Sequence, residues 1–462
     1  MITENEPVWI EALATDLGRC PFEAIGLELL PVVSEIDLIL ANLSSWTKNV
    51  STPVPAMMAP ATSEIVSEPY GVCLIIGAFN YPIDLLLGPL LGAIAAGNCA
   101  AIKPSEMSAA CEKAMARLLP AYLDNECFSV VCGGIEVTQT LLAQQWDKIF
   151  FTGSTRVGKI VMKAAAEHLT PVSLELGGKS PTIIDESVTD LELVTQRIMW
   201  GKCANSGQTC IAPDYVLCHA KHYEAFLACA AKTVERFYGK DAQTAVDYGR
   251  IISTGHAERL KGLLDDAPGK IVRGGKVDVK DRYVEPTIIS DVRADSKIMK
   301  EEIFGPILPV FKIESIDEAI RFVHATHEKP LVLYIFGKNR EIVDRIIQEV
   351  PSGGVLVNDT LFHFANFFVP FGGIGGSGMG QYHGKFSFDC FSHPRTVMRR
   401  DDHMLLDVPF RYPPYTAHGL SIFRIAAKLP AIPAISRSAF HLSLLGAALG
   451  LAIYLADKYD FI

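Results

Sequence analysis

A regular alternation of short apolar runs with helix-like segments fills residues 72–168 and restricts the chain to few folds. Four of these runs are predicted strands, at 72–77, 99–102, 128–132 and 148–151. All four are short, and the first is continuous in apolar residues, which is typical of strands that are covered on both faces. The order predicts an α/β fold with a parallel, doubly wound sheet that binds its ligands at the carboxyl ends of the strands.

A second α/β unit is predicted beyond residue 180. It begins with a strand at 181–184 and a helix at 191–203, and further strands are predicted at 215–218, 307–312, 331–336 and 355–358. Ahead of the first sheet, residues 7–50 carry apolar side chains at three- and four-residue spacing, which predicts helices. The chain is therefore expected to contain two α/β domains.

Polar motifs follow three of the predicted strands. Asn80 follows the first, and Lys103 and Glu106 follow the second, where an ammonium and a carboxylate could hold the two hydroxyls of a ribose. A solvated turn is the alternative for that pair. The stretch Gly153-Ser154-Thr155-Arg156-Val157-Gly158 follows the fourth strand and opens a helix, so its N–H groups favour a phosphate.

Two further residues are candidates for covalent chemistry. Cys210 ends the stretch Asn205-Ser206-Gly207-Gln208-Thr209-Cys210, a turn that could present a thiol and its own N–H to one reacting atom. Glu175 lies between two leucines, where a raised pKa would let it act as a base near neutral pH. The alternatives are a small buried hydrophobe for Cys210 and an outward-facing strand residue for Glu175.

Composition excludes several classes of protein. Hydrophobic residues make up 49% of the chain and charged residues 20%, which indicates a globular protein. The net charge of −10 argues against nucleic acid as a partner. The 11 cysteines form no C-x-x-C pair, so neither a disulfide framework nor a zinc site is expected.

Six motifs in order resemble the aldehyde dehydrogenase superfamily over about residues 23–399: Phe79-Asn80-Tyr81-Pro82, Phe151-Thr152-Gly153-Ser154, Leu174-Glu175-Leu176-Gly177-Gly178-Lys179, the Cys210 stretch, Glu302-Ile303-Phe304-Gly305-Pro306 and Pro370-Phe371-Gly372-Gly373. Two others, Lys103-Pro104-Ser105-Glu106 and Tyr382-His383-Gly384-Lys385, resemble its class 3 branch, which includes fatty aldehyde dehydrogenases.

The resemblance implies a role for each candidate residue. Cys210 is expected to be the nucleophile, Glu175 the base for water, and Asn80 an oxyanion donor together with the Cys210 N–H. NAD, with NADP as an alternative, is the expected cofactor, and no metal is expected. Lys103 and Glu106 would contact the adenosine ribose of the cofactor, and Gly153, Ser154 and Gly158 would lie beside its pyrophosphate. Glu302 would contact the nicotinamide ribose, and Phe304 would pack on the nicotinamide.

The same resemblance implies a domain plan and a homodimer. We expect an NAD-binding domain at 1–178 with oligomerisation strands near 62–71, and a catalytic domain at 179–370. A C-terminal loop and oligomerisation segment at 371–407 would follow, then a basic linker at 408–438.

Residues 439–456 form an apolar run whose length and charge are those of a candidate membrane-spanning helix. Its 18 residues contain no Asp, Glu, Lys or Arg and would extend about 27 Å as a helix, close to the thickness of a bilayer core. Four basic residues and no acidic one lie between residues 408 and 438. We therefore expect a C-terminal membrane anchor with the enzyme on the cytosolic face; a buried or interfacial helix is the alternative. The run at 83–96 is shorter and is interrupted by Asp84, Gly88 and Pro89, as in a core helix.

The expected function is the oxidation of an aldehyde to a carboxylic acid through a cysteine thiohemiacetal and thioester. The expected substrate is a medium- or long-chain aliphatic aldehyde. An aromatic or terpenoid aldehyde is an alternative, as are transfer of the acyl group to coenzyme A and a catalytically silent scaffold on a membrane.

Overall fold

The computed structural model describes residues 1–55, 58, 61–267, 269–326, 329–400, 402, 411–431 and 433. They form two compact units. The larger contains Met1–Leu43 and Pro69–Phe391, and the smaller contains Ser44–Glu68 and the described residues from Ser392 onward.

The helices of the described residues are α1 (Glu6–Leu17), α2 (Pro21–Ala24), α3 (Leu30–Trp46), α4 (Asp84–Ala96), α5 (Ala109–Tyr122), α6 (Ile135–Leu142), α7 (Thr155–Ala166), α8 (Leu191–Cys203), α9 (Tyr223–Tyr238), α10 (Thr254–Asp265), α11 (Ile316–Thr326), α12 (Arg340–Glu349), α13 (Lys385–Cys390) and α14 (Ala417–Ala426). A π-helical segment, Ile25–Leu29, joins α2 to α3.

The strands are β1 (Val50–Thr52), β2 (Thr62–Pro69), β3 (Val72–Ile76), β4 (Cys99–Lys103), β5 (Phe128–Val130), β6 (Lys148–Gly153), β7 (Val172–Leu176), β8 (Pro181–Ile184), β9 (Tyr215–His219), β10 (Lys270–Arg273), β11 (Val277–Asp278), β12 (Tyr283–Val284), β13 (Thr287–Ser290), β14 (Ile307–Ile313), β15 (Val332–Phe336), β16 (Gly354–Val357), β17 (Gly378–Met379) and β18 (Ser392–Arg399).

The first large sheet has the order β17-β7-β6-β3-β4-β5 and is parallel from β7 to β5. Cys73 and Ile75 of β3 pack on one face, and Leu74 and Ile76 pack on the other. Burial on both faces explains why the predicted strand at 72–77 is a continuous apolar run. The direction of strand order changes at β3, whose neighbours are β4 and β6, and this creates the crevice where such sheets bind ligands.

The second large sheet has the order β10-β13-β14-β9-β8-β15-β16. It is parallel from β13 to β16, and β10 is antiparallel to β13. The predicted α/β class is confirmed, but the edges depart from a purely parallel arrangement. At the edge of the first sheet, β17 is antiparallel to β7, with Gly378 opposite Glu175 and Met379 opposite Leu174.

The smaller unit contains a three-stranded sheet of order β1-β2-β18. Arg395 pairs with Glu68 at 2.7 Å, and Arg399 pairs with Glu64. In α14, Ile425 is 65% exposed and Leu420 is 51% exposed. Among the residues that the structure describes, we find no helix with the length and apolar character needed to cross a membrane. The predicted anchor at 439–456 lies outside the described residues.

Candidate active site

The turn that carries Cys210 has an unusual backbone. Directly after α8, Asn205 and Ser206 adopt φ values of 51° and 53°, and Gly207 follows at 73°. Left-handed backbone costs a non-glycine residue about 1–2 kcal/mol, so the surroundings must hold this turn in place. A Cβ on Gly207 would lie 2.4 Å from the Gly305 carbonyl, which leaves glycine as the residue that fits.

Arg19 supplies much of that support. This buried side chain donates from Nε to Asn205 Oδ1 at 2.9 Å and from Nη2 to the Asn80 carbonyl at 2.5 Å. Its Nη1 pairs with Glu28 Oε1 at 2.8 Å, with both side chains fully buried. One guanidinium therefore joins the Cys210 turn, the Asn80 loop and the π-helical segment.

Asn80 is directed toward the Cys210 turn. Its Nδ2 donates to the Gln208 carbonyl at 3.0 Å, and Asn205 Nδ2 donates to the Asn80 carbonyl at 2.8 Å. A primary amide has two N–H donors, so this bond orients the group and leaves a second donor for a ligand. The geometry suits donation to an oxygen that develops charge near Cys210.

Cys210 is partly exposed, and the charges of two acids, Glu302 and Glu175, reach its thiol. Burial raises the pKa of its thiol, and the negative charges of Glu302 and then Glu175 raise it further. The N–H groups of Cys210 and Ile211 act in the opposite direction by bonding the sulfur. The thiolate is therefore stabilised by the backbone and opposed by the two carboxylates when these are ionised.

Glu175 lies on β7 and is 3% exposed. Neither carboxyl oxygen has a hydrogen-bond partner among the described residues. Burial raises its pKa well above the ordinary value of 4.5. A buried, unpaired carboxyl is costly to folding, and such groups concentrate at functional sites as acids or bases.

Glu302 is held near Cys210 by a buried ion pair. Lys179 pairs with Asp214, and its Nζ donates to the carbonyls of Ile298 and Glu301 at 2.9 and 3.0 Å. These bonds fix the loop that carries Glu302. A Cβ on Gly177 would lie 2.0 Å from Glu302 Oε2, so glycine at 177 makes room for this carboxyl. Burial raises the pKa of Glu302 to about 8.

Phe304 has a φ of 49° and is partly buried. Its ring meets the Phe79 ring edge to face, with centroids 5.6 Å apart. Because Phe79 precedes Asn80, Phe304 lies beside the Asn80 loop. The structure thus brings Asn80, Glu302 and Phe304 to the same cleft as Cys210.

The remaining predicted residues lie at the carboxyl edge of the first sheet. Lys103 ends β4, and its Nζ contacts Glu106 Oε2 at 2.9 Å; the Lys103 side chain is 2% exposed and that of Glu106 is 41% exposed. On the other side of β3, strand β6 ends at Gly153. Ile76 of β3 is paired with both Lys103 and Phe151, so the ends of β4 and β6 lie at the same edge of the sheet.

The start of α7 has the character of an anion site. Ser154 caps the helix by accepting from the Val157 N–H at 3.4 Å. A Cβ on Gly158 would lie 2.6 Å from Leu176, so glycine there lets α7 pack closely on β7. The accessible Glu106 carboxylate, the Lys103 ammonium and this helix terminus together fit a dinucleotide with its ribose and pyrophosphate groups.

Sequence reasoning missed four polar residues of this region: Arg19, Asp84, Lys202 and Tyr382. Tyr382 opens the motif Tyr382-His383-Gly384-Lys385 but was given no role there, and the other three lie outside the motifs. Asp84 offered a usable signal, since it is an acid within the apolar run 83–96 and lies four residues after Asn80.

Comparison with known proteins identifies the family. The aldehyde dehydrogenase family model matches residues 1–397. Aldehyde dehydrogenase family 3 member A2 of Pongo abelii is 48% identical over 416 residues, covering 90% of this chain and 84% of the relative. Aldehyde dehydrogenase family 3 member B2 of Mus musculus is 46% identical over 414 residues, covering 90% of this chain and 86% of the relative.

A solved structure agrees equally well. The substrate-bound state of Staphylococcus aureus AldH superimposes with a TM-score of 0.88 at 45% identity, and the match covers 92% of each chain. The predicted fold and the class 3 resemblance are confirmed. The chain belongs to the aldehyde dehydrogenase family and, as an enzyme of its class 3 branch, oxidises aldehydes with NAD(P) as cofactor.

Proposed function

We propose that this enzyme oxidises medium- or long-chain aliphatic aldehydes to carboxylic acids through a thioester on Cys210. The observation that carries the proposal is Glu175, a buried carboxyl whose two oxygens have no partner among the described residues and whose charge reaches Cys210. A base for water is required when a thioester is hydrolysed. Transfer of the acyl group to coenzyme A would not require one, so Glu175 favours hydrolysis.

Covalent attack is the first step of the proposed mechanism. Cys210, as a thiolate, adds to the aldehyde carbon to give a thiohemiacetal. The second N–H of the Asn80 amide and the Cys210 backbone N–H bind the developing oxyanion. Protonated Glu175 supports this step, because its neutral form removes one of the charges that oppose the thiolate. Bound NAD(P) supplies the hydride acceptor, and a thioester remains on Cys210.

Hydrolysis is the second step. The sulfur of a thioester carries no charge, so ionisation of Glu175 is no longer opposed by a thiolate. Ionised Glu175 takes a proton from water, the hydroxide adds to the acyl carbon, and the tetrahedral adduct expels the Cys210 thiolate. Glu175 is protonated again at the end, ready for the next attack.

An apolar loop after β16 supports an aliphatic substrate. Phe362 is 63% exposed and Phe368 is 79% exposed. The loop is tied to the Cys210 region through Tyr334, whose hydroxyl donates to the Ile211 carbonyl at 2.6 Å and accepts from the Leu361 N–H at 3.2 Å. A long alkyl chain that leaves the cleft would cover this apolar surface. A compact aromatic aldehyde would cover less of it.

The proposal extends to location and assembly. Residues 439–456 are proposed to anchor the enzyme to a membrane from the cytosolic side, because the run lacks charged residues and follows a basic stretch. A homodimer is proposed from the class 3 resemblance. A membrane location would suit a long-chain aldehyde, which partitions into lipid at about 0.8 kcal/mol per methylene.

Glu175→Gln tests the mechanism. The variant should release a burst of about one NADH per active site in stopped flow and then turn over slowly, with thioester trapped on Cys210. Cys210→Ser should show neither burst nor thioester and serves as the control. Steady turnover at the wild-type rate in Glu175→Gln would refute the role of Glu175.

A series of aldehydes tests the substrate class on the same enzyme. The ratio kcat/KM should rise by up to about fourfold per methylene, equivalent to roughly 0.8 kcal/mol, until the apolar surface is covered. A flat profile, or a preference for aromatic over aliphatic aldehydes, would contradict the proposed substrate.

A further inference from the structure

Glu28 is a fully buried acid on the π-helical segment Ile25–Leu29, and no step of the proposed mechanism uses it. Its carboxyl accepts three hydrogen bonds from other parts of the fold. Oε1 accepts from Arg19 Nη1 at 2.8 Å, and Oε2 accepts from the backbone N–H groups of Ile83 at 3.2 Å and Asp84 at 2.8 Å. All three contacts require Glu28 as an acceptor, which is the role of a carboxylate.

The two N–H groups that Glu28 accepts lie at the start of helix α4. Asp84 is the first residue of α4 and Ile83 precedes it. The first N–H groups of a helix have no partner within the helix, and an acid is favoured there by the helix dipole. Asn80 lies three residues before Ile83, and Pro82 restricts the backbone between them. Glu28 therefore holds the carboxyl-terminal end of the loop that carries Asn80.

The same carboxyl holds the other end of this loop through Arg19. While Nη1 of Arg19 is bonded to Glu28, Nη2 donates to the Asn80 carbonyl. The guanidinium is planar and rigid, so a bond that fixes one of its nitrogens also sets the direction of the others. Arg19 Cζ lies 4.4 Å from the centre of the Tyr81 ring, inside the loop. Glu28 and Arg19 thus form a clamp that holds the loop at Asn80 and at Ile83.

The clamp acts on the amide that is proposed to bind the oxyanion. Asn80 Nδ2 is directed toward the Cys210 turn by one bond between neutral groups, to the Gln208 carbonyl at 3.0 Å. A rotation of the Asn80 backbone would break this bond and turn the amide away. An oxyanion donor is effective when it is already in place as the charge develops, because no reorganisation is then needed. Fixing the Asn80 backbone supplies that condition.

We propose that Glu28 is a positioning residue for the oxyanion donor, an inference that rests on the proposed role of Asn80. Glu28 takes no part in making or breaking bonds to the substrate. It sets the direction of the Asn80 amide through Arg19 and through the start of α4. Both the attack of Cys210 on the aldehyde and the hydrolysis of the thioester pass through an oxyanion, and NADH formation reports on the first of them.

Glu28→Gln tests the proposal, because it keeps the size of the side chain and replaces one acceptor oxygen with a donor amide. The clamp then loses one of its two ends. With enzyme in excess over a short aldehyde, NADH formation in a single turnover should slow on the order of tenfold, against about 100-fold for Asn80→Ala, which deletes the donor. The affinity for NAD in a fluorescence titration should not change, because the three bonds of Glu28 reach none of the proposed cofactor residues.

The double variant Glu28→Gln/Asn80→Ala separates positioning from a general loss of structure. If Glu28 acts through Asn80, the double variant should form NADH at the same rate as Asn80→Ala alone. Two losses that multiply would show that Glu28 acts independently of Asn80 and would overturn the proposal. A wild-type rate in Glu28→Gln beside a slow Asn80→Ala would overturn it as well, whereas a wild-type rate in Asn80→Ala would instead overturn the proposed role of Asn80 in the mechanism.

Arg19→Lys decides the question if Glu28→Gln does not fold, since removing one partner of a buried ion pair is destabilising. Lysine keeps a positive charge beside Glu28. Its single ammonium cannot reach both the Asn80 carbonyl and Asn205 Oδ1, which two different nitrogens of the guanidinium bind. Single-turnover NADH formation should therefore slow by a similar factor, and a folded Arg19→Lys enzyme with the wild-type rate would contradict the clamp.

Glu35→Gln is the matched control. Glu35 is 1% exposed and likewise accepts from a backbone N–H, that of Gly384 at 2.8 Å, and from a side chain, Ser387 Oγ at 2.9 Å. Both donors lie outside the loop that carries Asn80, so this variant should lose stability in urea and keep the wild-type rate of single-turnover NADH formation. Equal slowing in Glu35→Gln and Glu28→Gln would show that the loss of any buried acid in this region has the effect, and would overturn the proposal.

Discussion

Lys202 is a buried ammonium at the end of α8, and its replacement by methionine should stabilise the enzyme. The residue is 1% exposed, and its Nζ has no hydrogen-bond partner among the residues described. Burial lowers the pKa of the ammonium from 10.5 to about 8. The charges of Asp214, Cys203 and Glu302 favour the ammonium, while that of Lys179 opposes it. Methionine matches the length of the side chain and carries no charge to desolvate.

The magnitude follows from the difference between the two pKa values. One pKa unit corresponds to 1.36 kcal/mol, so a charged Lys202 costs the folded state about 3 kcal/mol at pH 7. Between pH 8 and 10.5 the folded chain binds fewer protons at this site than the unfolded chain, so wild-type stability rises with pH across that window. The advantage of Lys202→Met should therefore shrink to about 2 kcal/mol at pH 9 and about 1 kcal/mol at pH 10.

Urea unfolding of both proteins at pH 7, 8, 9 and 10 measures this difference directly. Lys232→Met, at an exposed position on α9, is the control and should show no comparable gain. Equal stability of wild type and Lys202→Met at pH 7, or a difference that does not change with pH, would refute the reasoning. A variant that gains stability and loses aldehyde oxidation would show that the buried charge is retained for its effect on Glu302.

Two other predictions concern the cofactor and the tail. Gly177→Ala should weaken NAD binding in a fluorescence titration, because a Cβ 2.0 Å from Glu302 Oε2 displaces that carboxyl, whereas Gly178→Ala, whose Cβ would meet its nearest atom at 3.6 Å, should bind normally. Equal affinities in the two variants would show that Glu302 does not contact the cofactor. Truncation after Val408 should release the enzyme from membranes in a sedimentation assay and leave oxidation of short aldehydes intact; continued sedimentation would contradict the proposed anchor, and loss of that oxidation would show that the tail belongs to the fold.

Most strands of the two large sheets could be predicted from the sequence, because burial on both faces requires short apolar runs that can be recognised locally. The strand at 181–184 and the helix at 191–203 have the predicted bounds. By contrast, β10 and β13 have only four residues each, and β10 is partly exposed or exposed throughout. Their pairing is antiparallel, and β11 and β12 lie between them in the chain, so the pattern of a parallel sheet could not reveal it.

Residues of the candidate site could be predicted where a reactive side chain and a distinctive backbone feature occur in the same short motif. Cys210 lies on a turn whose glycine is required by close packing, and Glu175 lies in an apolar strand, and both features are visible in the sequence. The buried, unpaired polar groups of Lys202 and Tyr382 could not be predicted, because segments distant in the sequence bury them. A lysine near a helix end and a tyrosine in a loop are ordinary until the fold removes them from water.

Arg19 shows most clearly why motifs alone do not define this site. The left-handed residues Asn205 and Ser206 would relax to ordinary backbone in an isolated peptide, since each costs about 1–2 kcal/mol. They persist because the guanidinium of Arg19 bonds the Asn205 side chain and also holds the Asn80 carbonyl. The Cys210 turn and the Asn80 loop are thus held by one residue that follows α1, outside every motif. The precision of the cleft is a property of the N-terminal helices as much as of the residues that perform the chemistry.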